Sequence, residues 1–210
     1  MALQTFGSTA DGGSAVGYGG TGKIAGSIYT SPGSGTIQKL TARIWAFDGT
    51  GAKIKPVIYS VSGGSPDTLL AIGSEVTITN TAEAEVDFTI SLAITATDYF
   101  IGVHGVHAAG APTGFFLSRS TYGTSNRISV DDDYSDGTPT TFPTPAIQST
   151  TFDIYATYDD GAGGGGATNG FKVYNGSTFE VKPVKVYNGS TWETKPLKRY
   201  NGSTWEDVEY

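Results

Sequence analysis

Apolar and polar positions alternate through most of the first 158 residues. Between Ile37 and Phe47, Leu40, Ala42, Ile44 and Ala46 share one parity, while Arg43, Trp45 and Phe47 share the other. Successive side chains of a strand point to opposite faces, so the pattern predicts a long strand with one buried face. Lys53 to Val61 repeats it, with Ile54, Pro56 and Ile58 set against Lys55, Val57 and Tyr59. Leu69 to Ile78, Glu85 to Leu92, Tyr99 to Val106, Gly114 to Ser118, Arg127 to Val130 and Phe152 to Tyr158 read as further strands. Lys23 to Thr30 reads as an earlier one, inside a loop-rich stretch over residues 1–35. No window has a convincing helical period. Asp48-Gly49-Thr50-Gly51 and Ser62-Gly63-Gly64-Ser65-Pro66-Asp67 supply turn chemistry between strands. Strands at this spacing predict an all-β fold, a β-sandwich of jelly-roll type over residues 1–158.

The pattern then changes. Residues 159–170, Asp159-Asp160-Gly161-Ala162-Gly163-Gly164-Gly165-Gly166-Ala167-Thr168-Asn169-Gly170, have the composition of a flexible linker. Beyond them one phrase recurs, as Val173-Tyr174-Asn175-Gly176-Ser177-Thr178-Phe179, Val186-Tyr187-Asn188-Gly189-Ser190-Thr191-Trp192 and Arg199-Tyr200-Asn201-Gly202-Ser203-Thr204-Trp205. The tyrosines at 174, 187 and 200 are 13 apart each time. Asn-Gly between such residues predicts a hairpin with a two-residue type I′ turn. Residues 171–210 are thus expected to form three β-hairpin repeats, with Tyr174 opposite Ser177 and Lys172 opposite Phe179. One face carries Tyr174 and Phe179, and the equivalent faces carry Tyr187 with Trp192 and Tyr200 with Trp205. A lone hairpin buries too little to stand by itself. These six aromatics are therefore expected to meet other copies of the chain or another protein, ahead of serving as platforms for sugar rings.

Composition sharpens this. The chain has 210 residues, 30 Gly, 12 Tyr, 10 Phe, no Cys and a net charge of −7. Residues 1–158 hold 7 basic and 13 acidic side chains, a net of −6, and residues 171–210 hold 6 basic and 5 acidic. Neither part has a basic stripe, which argues against nucleic-acid binding. Stability has to come from core burial and association, because no disulfide can form. The first residues lack both a basic and an apolar signal region, and no apolar run has membrane-spanning length. The expectation is a protein made in the cytoplasm, with no membrane insertion.

Candidate chemistry is sparse. His104 and His107 are three apart on one predicted strand, which places them on opposite faces and away from a shared metal. Gly17-x4-Gly22-Lys23 has Ile24 where a phosphate-binding loop needs Ser or Thr. Asp131, Asp132, Asp133 and Asp136 form the one acidic cluster, dense enough in oxygen for a hard cation but without EF-hand spacing. A solvated turn is the plainer reading of it. There is no nucleophile elbow, no cysteine nucleophile and no distinctive carboxylate pair, so neither catalysis, a metal nor a cofactor is expected. Trp45 and Tyr59, on predicted outward positions, are the candidate glycan contacts of the sandwich, beside Trp192 and Trp205 of the repeats.

Pro56-Val57-Ile58-Tyr59-Ser60-Val61-Ser62-Gly63-Gly64-Ser65-Pro66-Asp67-Thr68-Leu69-Leu70-Ala71 resembles a jelly-roll module common in phage virion proteins and in some bacterial surface proteins. Asp98-Tyr99-Phe100-Ile101-Gly102-Val103-His104 and Asp153-Ile154-Tyr155-Ala156-Thr157-Tyr158 support it, so that the resemblance covers about residues 20–158. The Tyr-Asn-Gly-Ser-Thr-Trp repeats with Lys-Pro connectors are similar to the C-terminal tails of tailed-phage structural proteins. The resemblance implies a virion structural protein, a fibre, spike or decoration component. Its implied partners are other virion proteins and further copies of itself, as a homotrimer. The alternatives are a module that binds host-surface glycans and, less favoured, a polysaccharide hydrolase. No catalytic residue is carried over.

Overall fold

The computed structural model describes residues 3–108, 114–120, 127–160, 170–174, 179–183, 185–195, 198–200 and 205–207. In chain order the first fourteen strands are β1 (Leu3–Gly7), β2 (Ser14–Tyr18), β3 (Lys23–Thr30), β4 (Gly35–Ala46), β5 (Ala52–Ser62), β6 (Ser65–Ile72) and β7 (Val76–Ile78), followed by β8 (Ala84–Ile94), β9 (Asp98–His107), β10 (Phe115–Ser120), β11 (Arg127–Asp131), β12 (Ala146–Gln148), β13 (Thr151–Phe152) and β14 (Ile154–Asp159). The strand expected over Leu69 to Ile78 is two, β6 and β7. The stretch expected to be loop-rich contains β1 and β2. Among the described residues no helix is long and apolar enough to cross a membrane.

Every pairing is antiparallel. One sheet runs β1-β14-β4-β10-β13, with β2 also on β10 and β8 also on β4. The other runs β12-β11-β3-β9-β5-β6, with β7 also on β5. The long strands cross the gap in turn, β3 in the second sheet, β4 in the first, β5 in the second, β8 in the first and β9 in the second. This is a β-sandwich wound in the jelly-roll manner. Leu40, Ile44, Phe88, Phe115, Leu117 and Ile154 of the first sheet meet Ile54, Ile58, Ile101 and Val103 of the second, all at most 1 % exposed. Each such side chain contributes on the order of 1.5–3 kcal/mol. In β4 the parity read from the sequence holds from Leu40 to Ala46. A register shift between Ile37 and Lys39 lets Ile37 turn inward as well.

The second sheet is covered on its outer face too. Ile24, Val57, Tyr59, Phe100, Ile128 and Phe142 form a second apolar cluster. The segment after β11 passes over it through a single 3-10 turn, Tyr134–Asp136. The carbonyl of Pro139 accepts the Tyr59 hydroxyl at 2.8 Å. That is why both parities of β5 are buried from Pro56 to Tyr59.

The chain divides into two compact units, Leu3–Asp160 and one that holds the C-terminal repeats. In the second, β15 (Gly170–Tyr174) pairs with β16 (Phe179–Pro183), β17 (Lys185–Tyr187) with β18 (Trp192–Thr194), and β19 (Lys198–Tyr200) with β20 (Trp205–Asp207). Tyr174 stands opposite Phe179, Tyr187 opposite Trp192 and Tyr200 opposite Trp205. This corrects the expected register. Four residues separate the paired aromatics, Lys172 faces Val181 instead of Phe179, and each Tyr is the direct cross-strand partner of its aromatic. The expected two-residue turns at Asn175-Gly176 and Asn201-Gly202 lie outside the described residues. The middle turn shows the reason for the register. Gly189 has φ 100°, but no non-glycine residue among those described has positive φ, so Asn188 does not meet the type I′ requirement. Instead Asn188 Oδ1 accepts the amides of Ser190 and Thr191, both at 2.9 Å, and Asn188 N donates to the Thr191 carbonyl at 3.0 Å. The asparagine side chain replaces a backbone turn. Moving a cross-strand partner by two residues keeps its face, so Tyr187 and Trp192 still lie together.

Candidate functional site

The outer face of the first sheet carries three aromatic rings in a row. Trp45 of β4 is the cross-strand partner of Phe116 of β10, and Phe116 is in turn opposite Gly17 of β2. Trp45 and Phe116 stack with centroids 5.3 Å apart at 14°, and Phe47 continues the stack at 6.2 Å and 30°. Phe47 is 53 % exposed, and the other two are half-buried. Gly17 is needed here, because a Cβ on it would come within 2.8 Å of the Phe116 ring. Two places before Trp45 on the same face, Arg43 reaches Asp11 (3.4 Å), Glu83 (3.7 Å) and Glu85 (3.3 Å). A flat apolar strip thus borders a fork of donors and carboxylate acceptors.

Beside Asp11 the loop after β1 closes over a cavity of about 420 Å³, whose lining includes Gly7, Ser8, Asp11, Gly12, Ser120 and Thr151. Asp153, between β13 and β14, anchors that loop. Its carboxylate is 1 % exposed and accepts from Ser8 Oγ (3.1 Å), Gly12 N (3.1 Å), Ser118 Oγ (2.8 Å) and Ser120 Oγ (2.6 Å). Strip, charged fork and cavity could together hold a sugar chain. The C–H face of a pyranose matches the electron-rich face of an aromatic ring, and its hydroxyls match the polar groups.

The residues singled out from the sequence fare unequally. Trp45 is in the strip. Tyr59 is not a surface contact: it is fully buried, edge-on to Phe142 at 4.9 Å and Phe100 at 5.9 Å, beneath the segment that follows β11. Alternation could not reveal a cover contributed by residues some 80 positions away. Phe47 shares the parity of Trp45 in the sequence, but Phe116, which stacks on both, was missed, because the β4–β10 pairing is non-local and leaves no trace in spacing. In the repeats, Tyr187 and Trp192 are 52 % and 66 % exposed, with rings 5.4 Å apart. For Tyr174, Phe179, Tyr200 and Trp205 the backbone pairing alone is described.

The acidic run disperses. Asp131 pairs with Lys23 at 2.6 Å, Asp133 accepts Ser135 N at 2.9 Å and caps the 3-10 turn, and Asp132 turns inward to His104. Among the described residues no three His, Asp or Glu side chains converge to hold a metal. His104 and His107 do face opposite ways. His104 lies against Tyr134 with Nδ1 2.9 Å from Thr138 Oγ1, while His107 Nε2 is 3.1 Å from Asp48 Oδ1.

His104 is fully buried, and its Nε2 is 3.3 Å from Asp132 Oδ2 without the alignment of a hydrogen bond. Burial holds the imidazole down, to about 4, and burial followed by Asp136 and Asp133 pushes the Asp132 carboxyl up, to about 6. The consequences for stability oppose each other. Below about pH 6.5 folded His104 binds fewer protons than unfolded histidine, so its contribution is lost as pH falls towards 4. Below about pH 6 folded Asp132 binds more protons than unfolded aspartate, so its contribution grows as pH falls. Relative to the parent, Asp132→Asn should therefore lose stability on acidification from about pH 6.5 to 4, by up to about 1.4 kcal/mol per pH unit. His104→Gln should gain over about pH 6 to 4. Urea midpoints near pH 4.5, 5.5 and 6.5 check this, and parallel profiles for all three proteins would refute it.

No family model matches the sequence, and no curated protein matches it.

Proposed function

We infer that this chain is a structural component of a particle, a virion protein of the tailed-phage kind by resemblance, in which the repeats associate and the sandwich projects. One observation carries the reading. The middle hairpin leaves Val186, Tyr187 and Trp192 between 48 % and 66 % exposed, on a chain that repeats the same phrase every 13 residues. Burying such aromatics contributes on the order of 1.5–3 kcal/mol each, so a partner surface is favoured, and further copies of the chain supply one. A homotrimer follows by analogy with phage fibres. The full chain is expected to scatter light as an oligomer and a chain ending at Asp160 as a monomer. The cut belongs after Asp160, because Asp159 pairs with Leu3 and Thr36. A monomeric full-length protein with its repeats already protected from protease would overturn the association. Mass spectrometry of purified virions tests the location, and absence from the particle rejects it.

A second reading, attachment to surface glycans, is favoured by the Trp45–Phe116–Phe47 strip beside Arg43. Trp45→Ala should abolish binding on a glycan array; the ring is mostly buried and stacks on Phe116, so the variant also loses some stability and is compared at a temperature where its urea curve shows it folded. Unaltered binding in that variant would remove the strip from the reading.

A further inference from the structure

β2 and β13 of the first sheet and β11 of the second bring two arginines to one side of the sandwich. Arg119 is the cross-strand partner of Phe152, whose ring is in the core, so Arg119 points into the gap. Arg127 is the partner of Ser27, whose Oγ accepts Phe152 N across the gap at 3.0 Å, so Arg127 points into it from the opposite sheet. Arg127 is 8 % exposed and Ser129, on the same face, 9 %. Tyr18, the partner of Phe115, completes the group with its hydroxyl beside Ser129.

What sets this edge apart is that its guanidinium groups lack partners among the described residues. Arg119 Nε and Arg127 Nε are buried with no hydrogen bond among the described residues. Neither guanidinium makes an ion pair among the described residues, although this unit holds 15 acidic and only 7 basic side chains. The nearby carboxylates are engaged elsewhere, Asp131 by Lys23 and Asp153 by its four donors. Residues 121–126, which join β10 to β11, read Thr-Tyr-Gly-Thr-Ser-Asn and contain no acid. Burial and the charge of Arg119 both press on Arg127. Guanidinium groups do not deprotonate in proteins, so both stay cationic. Buried polar groups normally find partners, and a buried uncompensated charge is strongly unfavourable. Two guanidinium groups and the hydroxyls of Tyr18 and Ser129, gathered at one gap, match an oxyanion, which accepts from each of them.

The geometry points to an oxyanion-binding site at this edge, formed by Arg119, Arg127, Tyr18 and Ser129, for a small ligand or ligand group bearing a carboxylate, phosphate or sulfate. It is separate from the aromatic strip, which lies on the outer face of the first sheet, and does not depend on that strip binding sugar.

The test is thermal unfolding of the full chain at pH 7 and constant ionic strength, with chloride alone or with inorganic phosphate, sulfate or glucuronate. A saturable rise in the midpoint is expected with at least one oxyanion, about 5 °C or more at a hundredfold excess over Kd. Whether phosphate and sulfate or glucuronate acts more strongly identifies a tetrahedral or a planar ligand. Arg119→Met and Arg127→Met should each abolish the rise, Arg127→Lys should weaken binding about tenfold by losing the two-pronged contact, and Lys53→Gln, an exposed control, should leave the rise intact. In chloride alone Arg127→Met should be at least as stable as the parent, because it removes an unpaired buried charge. A parent midpoint that no oxyanion raises above the chloride value would overturn the site. So would a rise that survives in both arginine variants, or arginine variants that are destabilised equally in chloride and in oxyanion.

Discussion

Phe100→Ala is expected to lose about 3–5 kcal/mol of stability, the range for deleting a large core ring, and to lower the thermal midpoint by roughly 6–20 °C. Phe100 is fully buried on the outer face of the second sheet. Its ring meets Phe142 at 5.0 Å and 66° and Tyr59 at 5.9 Å and 72°. It also lies over two glycines, Gly26 and Gly102, which face each other across β3 and β9. A Cβ on either would come within 2.8 Å of the ring. The glycines open a shallow seat and the phenyl fills it, so the truncation leaves a cavity between backbone and cover. The cover should loosen as well. Amide exchange across residues 132–142 should accelerate more than in the rest of the sandwich. A loss below about 1 kcal/mol, or exchange that rises uniformly, would show that the segment is held by something other than this ring. Gly102→Ala tests the same seat from the other side. It should be destabilised by overpacking, typically about 1–3 kcal/mol.

Asp153→Ala should be comparably severe, about 3–5 kcal/mol, by a different mechanism. The carboxylate collects four donors at 1 % exposure, and its backbone joins the same region, with Asp153 O accepting Arg43 N at 3.1 Å and Asp153 N donating to Ser118 O at 3.0 Å. In the alanine variant Ser8, Ser118 and Ser120 can rotate their hydroxyls, but Gly12 N–H cannot turn and loses its acceptor. Asp153→Asn keeps one oxygen and should cost less, about 1–2 kcal/mol. The ordering Ala worse than Asn, read from urea midpoints at unchanged m value, is the check. Equal costs would mean that the site requires the whole carboxylate, both acceptor oxygens with their charge, because asparagine keeps the volume. Both variants should release the residues 8–12 loop from the sheet and open the cavity beside it.

The consequences of the two substitutions were unequally visible along the chain. Asp153 stands in a strand-rich stretch with no sign of its role, because its donors are up to 145 residues away. The same holds for Arg119 and Arg127, whose common trait is a missing partner, and a missing partner is a property of space. Tyr59 shows the converse error. Its parity opposite Ile54 and Ile58 suggested a surface position, and the parity was right, but the surface was roofed.

What the sequence by itself determined is what local sterics and side-chain period determine. Lys23–Thr30 was read with its observed bounds, and Asp98–His107 and Ala52–Ser62 within a residue at each end, because alternation and Gly or Pro punctuation act over a few residues. The division of the chain near residue 160 followed from composition, and the shared face of Tyr187 and Trp192 followed from parity, which a two-residue change of register cannot alter. Tertiary structure alone decided which face is covered, which distant strands lie side by side and which charges find a partner. It drew β1 and β2 out of a glycine-rich stretch by pairing them with β14 and β10. It joined Trp45 to Phe116 through a pairing of residues 71 positions apart. Each of these depends on atoms brought together by the hydrophobic collapse of two sheets, and collapse is a property of the whole chain.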